Sequence, residues 1–137
     1  MKRILVAYDG SDSAKKAFSL ALDLAAKYGA ELSVVAVARP PEFGSEVETE
    51  AVMENSKKHY RQVLKPLHSL AEAAKCSVHF EVVVGHPAEQ IVRHAESWQA
   101  DLIVVGHRGH TFFERWLTGS VAKHVIDYAR CAVLVAR

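Results

Sequence analysis

The 137-residue chain has few residues that cross-link a fold or interrupt secondary structure: two cysteines, four prolines and seven glycines. Cys76 and Cys131 stand far apart, and neither lies in a CxxC pair or a Cys/His ligand spacing. We therefore expect two buried thiols and no metal centre built on cysteine. Apolar runs long enough to cross a bilayer are also missing, as are internal repeats and low-complexity tracts.

An excess of charge of either sign is also missing, because the formal net charge is +1. Such a balance creates no global field for nucleic acid or an acidic membrane, so we expect neither as a partner. Half of the residues are apolar and 24% are charged, which is typical of a globular protein. The sequence enters an apolar strand at Ile4 with no basic leader before it, so we expect a soluble, cytoplasmic protein.

The apolar pattern alternates between short buried strands and amphipathic helices along the whole chain. Pro66 falls inside the second helical pattern and should kink or interrupt it. The third strand alternates polar and apolar residues at its start, which favours a position near a sheet edge. The predicted strands are 3–8, 32–38, 77–84, 101–105 and 132–136. This order predicts one α/β domain over 1–137, with a five-stranded parallel sheet between helices.

In an open α/β sheet, ligands bind outside the carboxyl ends of the strands, where the strand order reverses. Asp9 closes the first strand and would face that crevice. Its carboxylate could accept a hydrogen bond from a ribose hydroxyl or an adenine amine. It could equally form an Asx turn with Gly10, and the sequence alone leaves both roles open.

Three glycines and a serine follow the fourth predicted strand at the spacing Gly106-x2-Gly109-x9-Gly119-Ser120. Glycine lets main-chain N–H groups approach phosphate oxygens, and the helix predicted to begin near Ser120 adds its N-terminal potential. Separately, these residues could be ordinary turns and a helix cap. Their coincidence on the carboxyl side of a parallel sheet favours an anion site. Basic side chains surround the loop, at His107, Arg108, His110 and Arg115.

This glycine spacing resembles the ATP-binding motif of the universal stress protein family. The segments 4–11, 85–91, 101–106 and 131–137 are similar to the family's strands and turns, so the resemblance covers the whole chain. It implies a sheet of order 3-2-1-4-5, the adenine nucleotide alpha hydrolase-like fold. It also implies a regulator in stress responses that holds ATP, or ADP or AMP, with Mg²⁺ or Mn²⁺ carried through the phosphates.

Residue roles follow from the same resemblance. Asp9 would contact the adenine, Val37 would lie against it and Ala7 would line the base pocket. Gly106 and Gly109 would meet the ribose and inner phosphates, with Arg108 between them. The outer phosphates would meet three residues at the start of the last helix: Gly119, Ser120 and Val121.

The sequence departs from the family at His107, where a small hydroxyl residue is common, and His110 adds further bulk to the loop. The segment 9–13 also resembles the loop of ATP pyrophosphatases, but it is one residue short and lacks the paired glycines. Of the eight histidines, the six outside the loop form no HxH or HxxxH pair. Trp116 could cover the nucleotide or pack at a subunit contact.

Glu114 is the only carboxylate in the x9 segment, and nothing in the sequence fixes its direction as a catalytic group. We therefore expect a binding and signalling protein with slow or absent ATP turnover. The second hypothesis is an interaction or chaperone-like module that works without nucleotide. The apolar strand 132–136 carries no charge to protect a sheet edge, which predicts a homodimer through that strand, as in the family.

Overall fold

The computed structural model describes residues 1–40, 46–107 and 119–137, in which strands and helices alternate without exception. Each buried strand is a short Val/Ile/Leu/Ala run, and each helix carries a single apolar stripe. The elements are β1 (Arg3–Ala7), α1 (Asp12–Tyr28), β2 (Glu31–Ala38), α2 (Glu46–Ala73), β3 (Val78–Val84), α3 (Pro87–Trp98), β4 (Leu102–Gly106), α4 (Gly119–Tyr128) and β5 (Ala132–Ala136).

The five strands form one sheet in the order β3-β2-β1-β4-β5, and every neighbouring pair is parallel. The predicted fold class and strand order are confirmed. Right-handed crossovers place α1 and α2 on one face of the sheet and α3 and α4 on the other. The chain moves one way from β1 to β3 and the other way from β4 to β5, so the strand order reverses at β1.

The core lies on both faces of the central strands. Ile4 to Ala7 of β1 and Leu32 to Ala38 of β2 are buried throughout, and all of these residues except Ser33 are apolar. From α1, Phe18 packs edge-on against Tyr8, with ring centroids 6.4 Å apart. Each fully buried side chain of this size stabilises the fold by about 1.5–3 kcal/mol relative to exposure. The sheet is thus a rigid platform for its loops.

Local signals set the ends of α1 and α3. Ser11 is the N-cap of α1, and its Oγ accepts a hydrogen bond from Ala14 N at 3.2 Å. Gly29 ends α1 in the left-handed conformation, with φ of 65°. Pro87 opens α3 at the position where a helix needs no N–H. The residue types at these three positions therefore account for the boundaries.

Helix α2 runs unbroken from Glu46 to Ala73 through Pro66. Of the two outcomes expected for Pro66, a kink or an interruption, the interruption is therefore wrong. Pro66 and Gln62 are both on the exposed side, so the carbonyl that loses its partner at Gln62 faces water. The two cysteines are half-buried and not fully buried. Burial raises the pKa of the Cys131 thiol, which keeps it protonated and unreactive near neutral pH.

Candidate functional site

Strand β2 extends beyond the end of β1, and main-chain groups of β2 point over that end. The register between β1 and β2 ends at Ala7–Val35, and Tyr8 N donates to Val35 O at 2.9 Å. In a strand, the N–H and C=O of one residue face the same neighbour, and successive residues alternate. Val35 faces β1, so Val37 faces the same way. Its N–H and C=O therefore point over the end of β1.

The same reasoning applies on the other side of β1. His107 N donates to Ala136 O at 2.8 Å, so His107 faces β5 and Gly106, one residue earlier, faces β1. The register between β1 and β4 ends at Val6–Val104. Val37 and Gly106 thus flank the end of β1 from either side. We call the space bounded by Val37, Asp9 and Gly106 the switch-point crevice.

Side chains predicted to hold the base share one face of the sheet. Tyr8 packs on Phe18 of α1, so Ala7, the last residue of β1, projects to the opposite face, which α3 and α4 cover. Asp9 follows two residues beyond the end of the strand. Ala7 is paired with Val35, and Val37 lies two residues further along the same face. All of these side chains are buried. The predicted residues Ala7, Asp9 and Val37 therefore surround the crevice together.

Asp9 is fully buried, and its Oδ1 accepts a hydrogen bond from Ser11 N at 2.9 Å. This is the Asx turn that the sequence left as one alternative. It leads the chain from β1 directly into the N-cap of α1. Burial raises the pKa of the adjacent Tyr8, and the Asp9 carboxylate raises it further. A carboxylate has about four acceptor positions, so the turn is compatible with ligand contact by Asp9.

Gly106 has a packing role that the sequence did not reveal. A Cβ at this position would clash with the Ser13 side chain and would lie 2.8 Å from Ser13 C and 2.9 Å from Ala14 N. Only glycine lets β4 approach the first turn of α1 this closely. The sequence suggested either phosphate approach or an ordinary turn as the reason for this glycine. The steric reason depends on a helix about 90 residues earlier in the chain, so no local pattern could have found it.

The anion-binding part of the prediction centres on α4. This helix begins at Gly119, as predicted, with Ser120 exposed in its first turn and Val121 buried. The first amides of a helix and its dipole create favourable potential for an anion. Predicted residues Arg108 and Gly109 lie outside the described residues. The same is true of four other loop residues that the sequence singled out, namely His110, Glu114, Arg115 and Trp116.

A second groove, of about 250 Å³, lies at the opposite, amino end of the sheet. It lies between the last turns of α3 and α4, and its lining includes Glu96, Gln99, Arg130 and Cys131. Helix C-termini carry partial negative charge, and Glu96 adds to it, so this groove disfavours a phosphate. Arg130 is directed to Glu96, with Nε 3.5 Å from its carboxylate. The groove is therefore a poor nucleotide site.

Within residues 1–40, 46–107 and 119–137, no cluster of three His, Cys, Asp or Glu side chains is arranged to hold a metal ion. Over the same ranges, no helix combines the length and apolar character needed to span a membrane.

The fold is a three-layer α/β arrangement, and the crevice at the reversal point of its parallel sheet is the candidate ligand site. The chain belongs to the universal stress protein family, whose profile matches residues 1–137. It is 37% identical to a universal stress protein of Methanocaldococcus jannaschii over 139 residues, covering 99% of this chain and 82% of the relative.

Solved structures agree with this assignment. The universal stress protein UspA from Lactobacillus plantarum superposes with a TM-score of 0.85 at 26% identity, covering 99% of this chain and 97% of that one. A universal stress protein solved in complex with cAMP superposes with a TM-score of 0.76, also at 26% identity, with the same coverage of both chains.

Proposed function

We propose that this protein binds ATP in the switch-point crevice and acts in the cytoplasm as a nucleotide-dependent regulatory or protective module of the stress response. The observation that carries the proposal is the direction of the Val37 main chain. Its N–H and C=O face the crevice side by side. Adenine presents a matching pair on one edge, with N1 as acceptor and the N6 amine as donor.

The surrounding side chains suit a purine. Ala7 and Val37 offer small apolar surfaces to the ring, and both are buried on the same face. Asp9 adds a carboxylate that can accept from the adenine amine or a ribose hydroxyl. The cAMP complex of a family member supports an adenine nucleotide as the ligand class. ADP and AMP fit the same contacts, so the base contacts leave the phosphate number open.

Phosphates would extend from the crevice toward α4. In this arrangement Gly106, Arg108 and Gly109 meet the ribose and inner phosphates. The outer phosphates meet the first turn of α4, at Gly119, Ser120 and Val121, where the helix dipole favours negative charge. A cation such as Mg²⁺ or Mn²⁺ would be carried through the phosphate oxygens, as these hard cations prefer.

Mass spectrometry of small molecules released from the denatured, purified protein tests this proposal directly. We expect an adenine nucleotide, and we expect ATP to raise the melting temperature of ligand-free protein. The variant S120A should keep the fold and bind ATP more weakly, by about tenfold, because it loses a hydroxyl that contacts phosphate. The absence of both a released nucleotide and an ATP-dependent melting shift would overturn the proposal.

We propose regulation rather than catalysis, with slow or absent turnover. Among the described residues, Asp9 is the carboxylate nearest the crevice, and it is engaged in the turn with Ser11. A turnover rate on the order of 1 per second with ATP alone would contradict this part of the proposal. The alternative, a nucleotide-independent interaction module, predicts full activity in partner binding for the S120A variant.

The free edge of β5 supports a homodimer through residues 132–136. Since Ala136 O accepts from His107, Ala136 and Leu134 face β4, and the amides of Val133 and Val135 face outward. Pairing of two such edges about a two-fold axis would use these amides. The variant V133P removes one outward N–H and leaves the β4 ladder intact, so it should weaken the dimer in sedimentation experiments. A wild-type protein that sediments only as a 15 kDa monomer would exclude the dimer.

A further inference from the structure

His107 is tied to the end of β5 by two contacts with the same atom. Its main-chain N–H donates to Ala136 O at 2.8 Å, and its ring Nδ1 lies 3.2 Å from that oxygen. A carbonyl oxygen only accepts hydrogen bonds, so the contact requires the proton on Nδ1. The main-chain amide of residue 107 is therefore committed to β5 and does not join a phosphate cradle.

The tautomer fixes the chemistry of the other ring nitrogen. In the neutral ring with Nδ1 protonated, Nε2 carries a lone pair and no proton. It lies across the ring from the Ala136 carbonyl. In this neutral form Nε2 can ligate a cation, and only the doubly protonated ring could donate from Nε2 to a phosphate oxygen. This is the arrangement of a metal-binding histidine, in which one N–H is held by a main-chain carbonyl and the other nitrogen ligates the ion.

In the proposed binding mode, His107 is on the phosphate side of the crevice. Its side chain projects to the face covered by α3 and α4, because Gly106 points to α1. Neighbouring strands are about 4.8 Å apart, so a base held between β2 and β1 sends its phosphates over β4 and β5. His107 directly follows the last residue of β4 and is half-buried.

We propose that His107 Nε2 ligates the divalent cation that accompanies the nucleotide phosphates, an inference that rests on the proposed function. Imidazole nitrogen suits Co²⁺ and Zn²⁺, whereas Mg²⁺ prefers oxygen ligands throughout. The site would therefore favour nucleotide complexes of the softer cations. A cation held by one side chain and several phosphate oxygens needs no cluster of protein ligands.

Calorimetric titration with preformed Mg–ATP, preformed Co–ATP and metal-free ATP measures this preference. We expect Co–ATP to bind about tenfold more tightly than Mg–ATP. The variant H107F keeps a planar ring but has no nitrogen, so it should bind both complexes equally. The matched control is H86F. His86 is an exposed histidine at the same end of the sheet, and it forms no side-chain cap bond, so its loss should leave the preference intact.

Residue-assigned ¹⁵N NMR of the histidine rings gives a direct readout of the ligand atom. Zn–ATP should shift the His107 Nε2 resonance strongly, and Mg–ATP should not. If ATP binds but the H107F variant keeps the cation preference, or the His107 ring resonances do not respond to Zn–ATP, this inference is wrong and the proposed function stands. If ATP binds in no form, with or without a cation, both are wrong.

Discussion

The two ends of the sheet are built differently. At the amino end, loop polar groups pair with one another. The Asp101 carboxylate accepts from Lys2 N at 2.7 Å and from Arg3 N at 2.9 Å, and the Arg3 guanidinium donates to Trp98 O at 3.0 Å. At the carboxyl end, by contrast, the main-chain groups of Val37 and Gly106 point past the end of β1.

Unequal strand length causes this difference. β2 continues to Ala38, three residues beyond Val35, where its register with β1 ends. β4 continues to Gly106, two residues beyond Val104, where its register with β1 ends. A central strand that stops short leaves its neighbours' hydrogen-bonding groups directed at a gap. A recognition site can thus arise from main-chain geometry before any side chain is considered.

The largest expected effect comes from Gly106, where packing at the carboxyl end is tightest. G106A should lower the free energy of unfolding by about 3 kcal/mol, because its Cβ meets the backbone of α1. The control is G29A, at a glycine with φ of 65° and open space around it, which should cost about 1 kcal/mol. Urea unfolding measures the free energy of unfolding of both variants. Equal losses of unfolding free energy in the two variants would show that β4 can move away from α1 at little energetic cost.

The next effect concerns Asp9. In D9N the side-chain oxygen can still accept from Ser11 N, so the fold should persist, while the lost charge should weaken ATP binding by about tenfold. Calorimetry measures the affinity for ATP, and urea unfolding measures the stability of the variant. D12N, at an exposed residue in the first turn of α1, is the matched control and should bind normally. If D9N binds ATP as the wild type does, Asp9 is only a turn residue.

The smallest effect belongs to the amino end. Hydrogen bonds from the amides of Lys2 and Arg3 lower the pKa of Asp101 below its ordinary value of 3.8. A carboxyl with a lowered pKa in the folded state stabilises the fold above its unfolded pKa, and this contribution is lost as pH falls through the folded pKa. Below pH 3.8, therefore, wild-type stability should decline more steeply than that of D101N.

Thermal unfolding across the acidic range measures this difference. ATP affinity should be the same in D101N and the wild type at neutral pH, because the residue lies at the far end of the sheet. A change in ATP affinity in D101N, or parallel pH profiles for the two proteins, would contradict the division of roles between the ends.

The sequence predicts the fold of this protein almost completely. Buried parallel strands are continuous apolar runs, and Ser11, Gly29 and Pro87 mark helix ends through their own backbone chemistry. The candidate site was less accessible to sequence reasoning. The close packing of Gly106 against α1 and the hydrogen bond from His107 to Ala136 both join residues that are distant in the chain. The accommodation of Pro66 within α2 likewise depends on which side of the helix meets solvent.

An ATP titration followed by amide NMR at both ends of the sheet shows where the nucleotide binds. We expect large shifts for the amides of Val37 and Gly106 and none for those of Arg3 and Gln99. Shifts confined to Gln99 and Cys131 would place the ligand in the amino-end groove and exclude binding in the switch-point crevice.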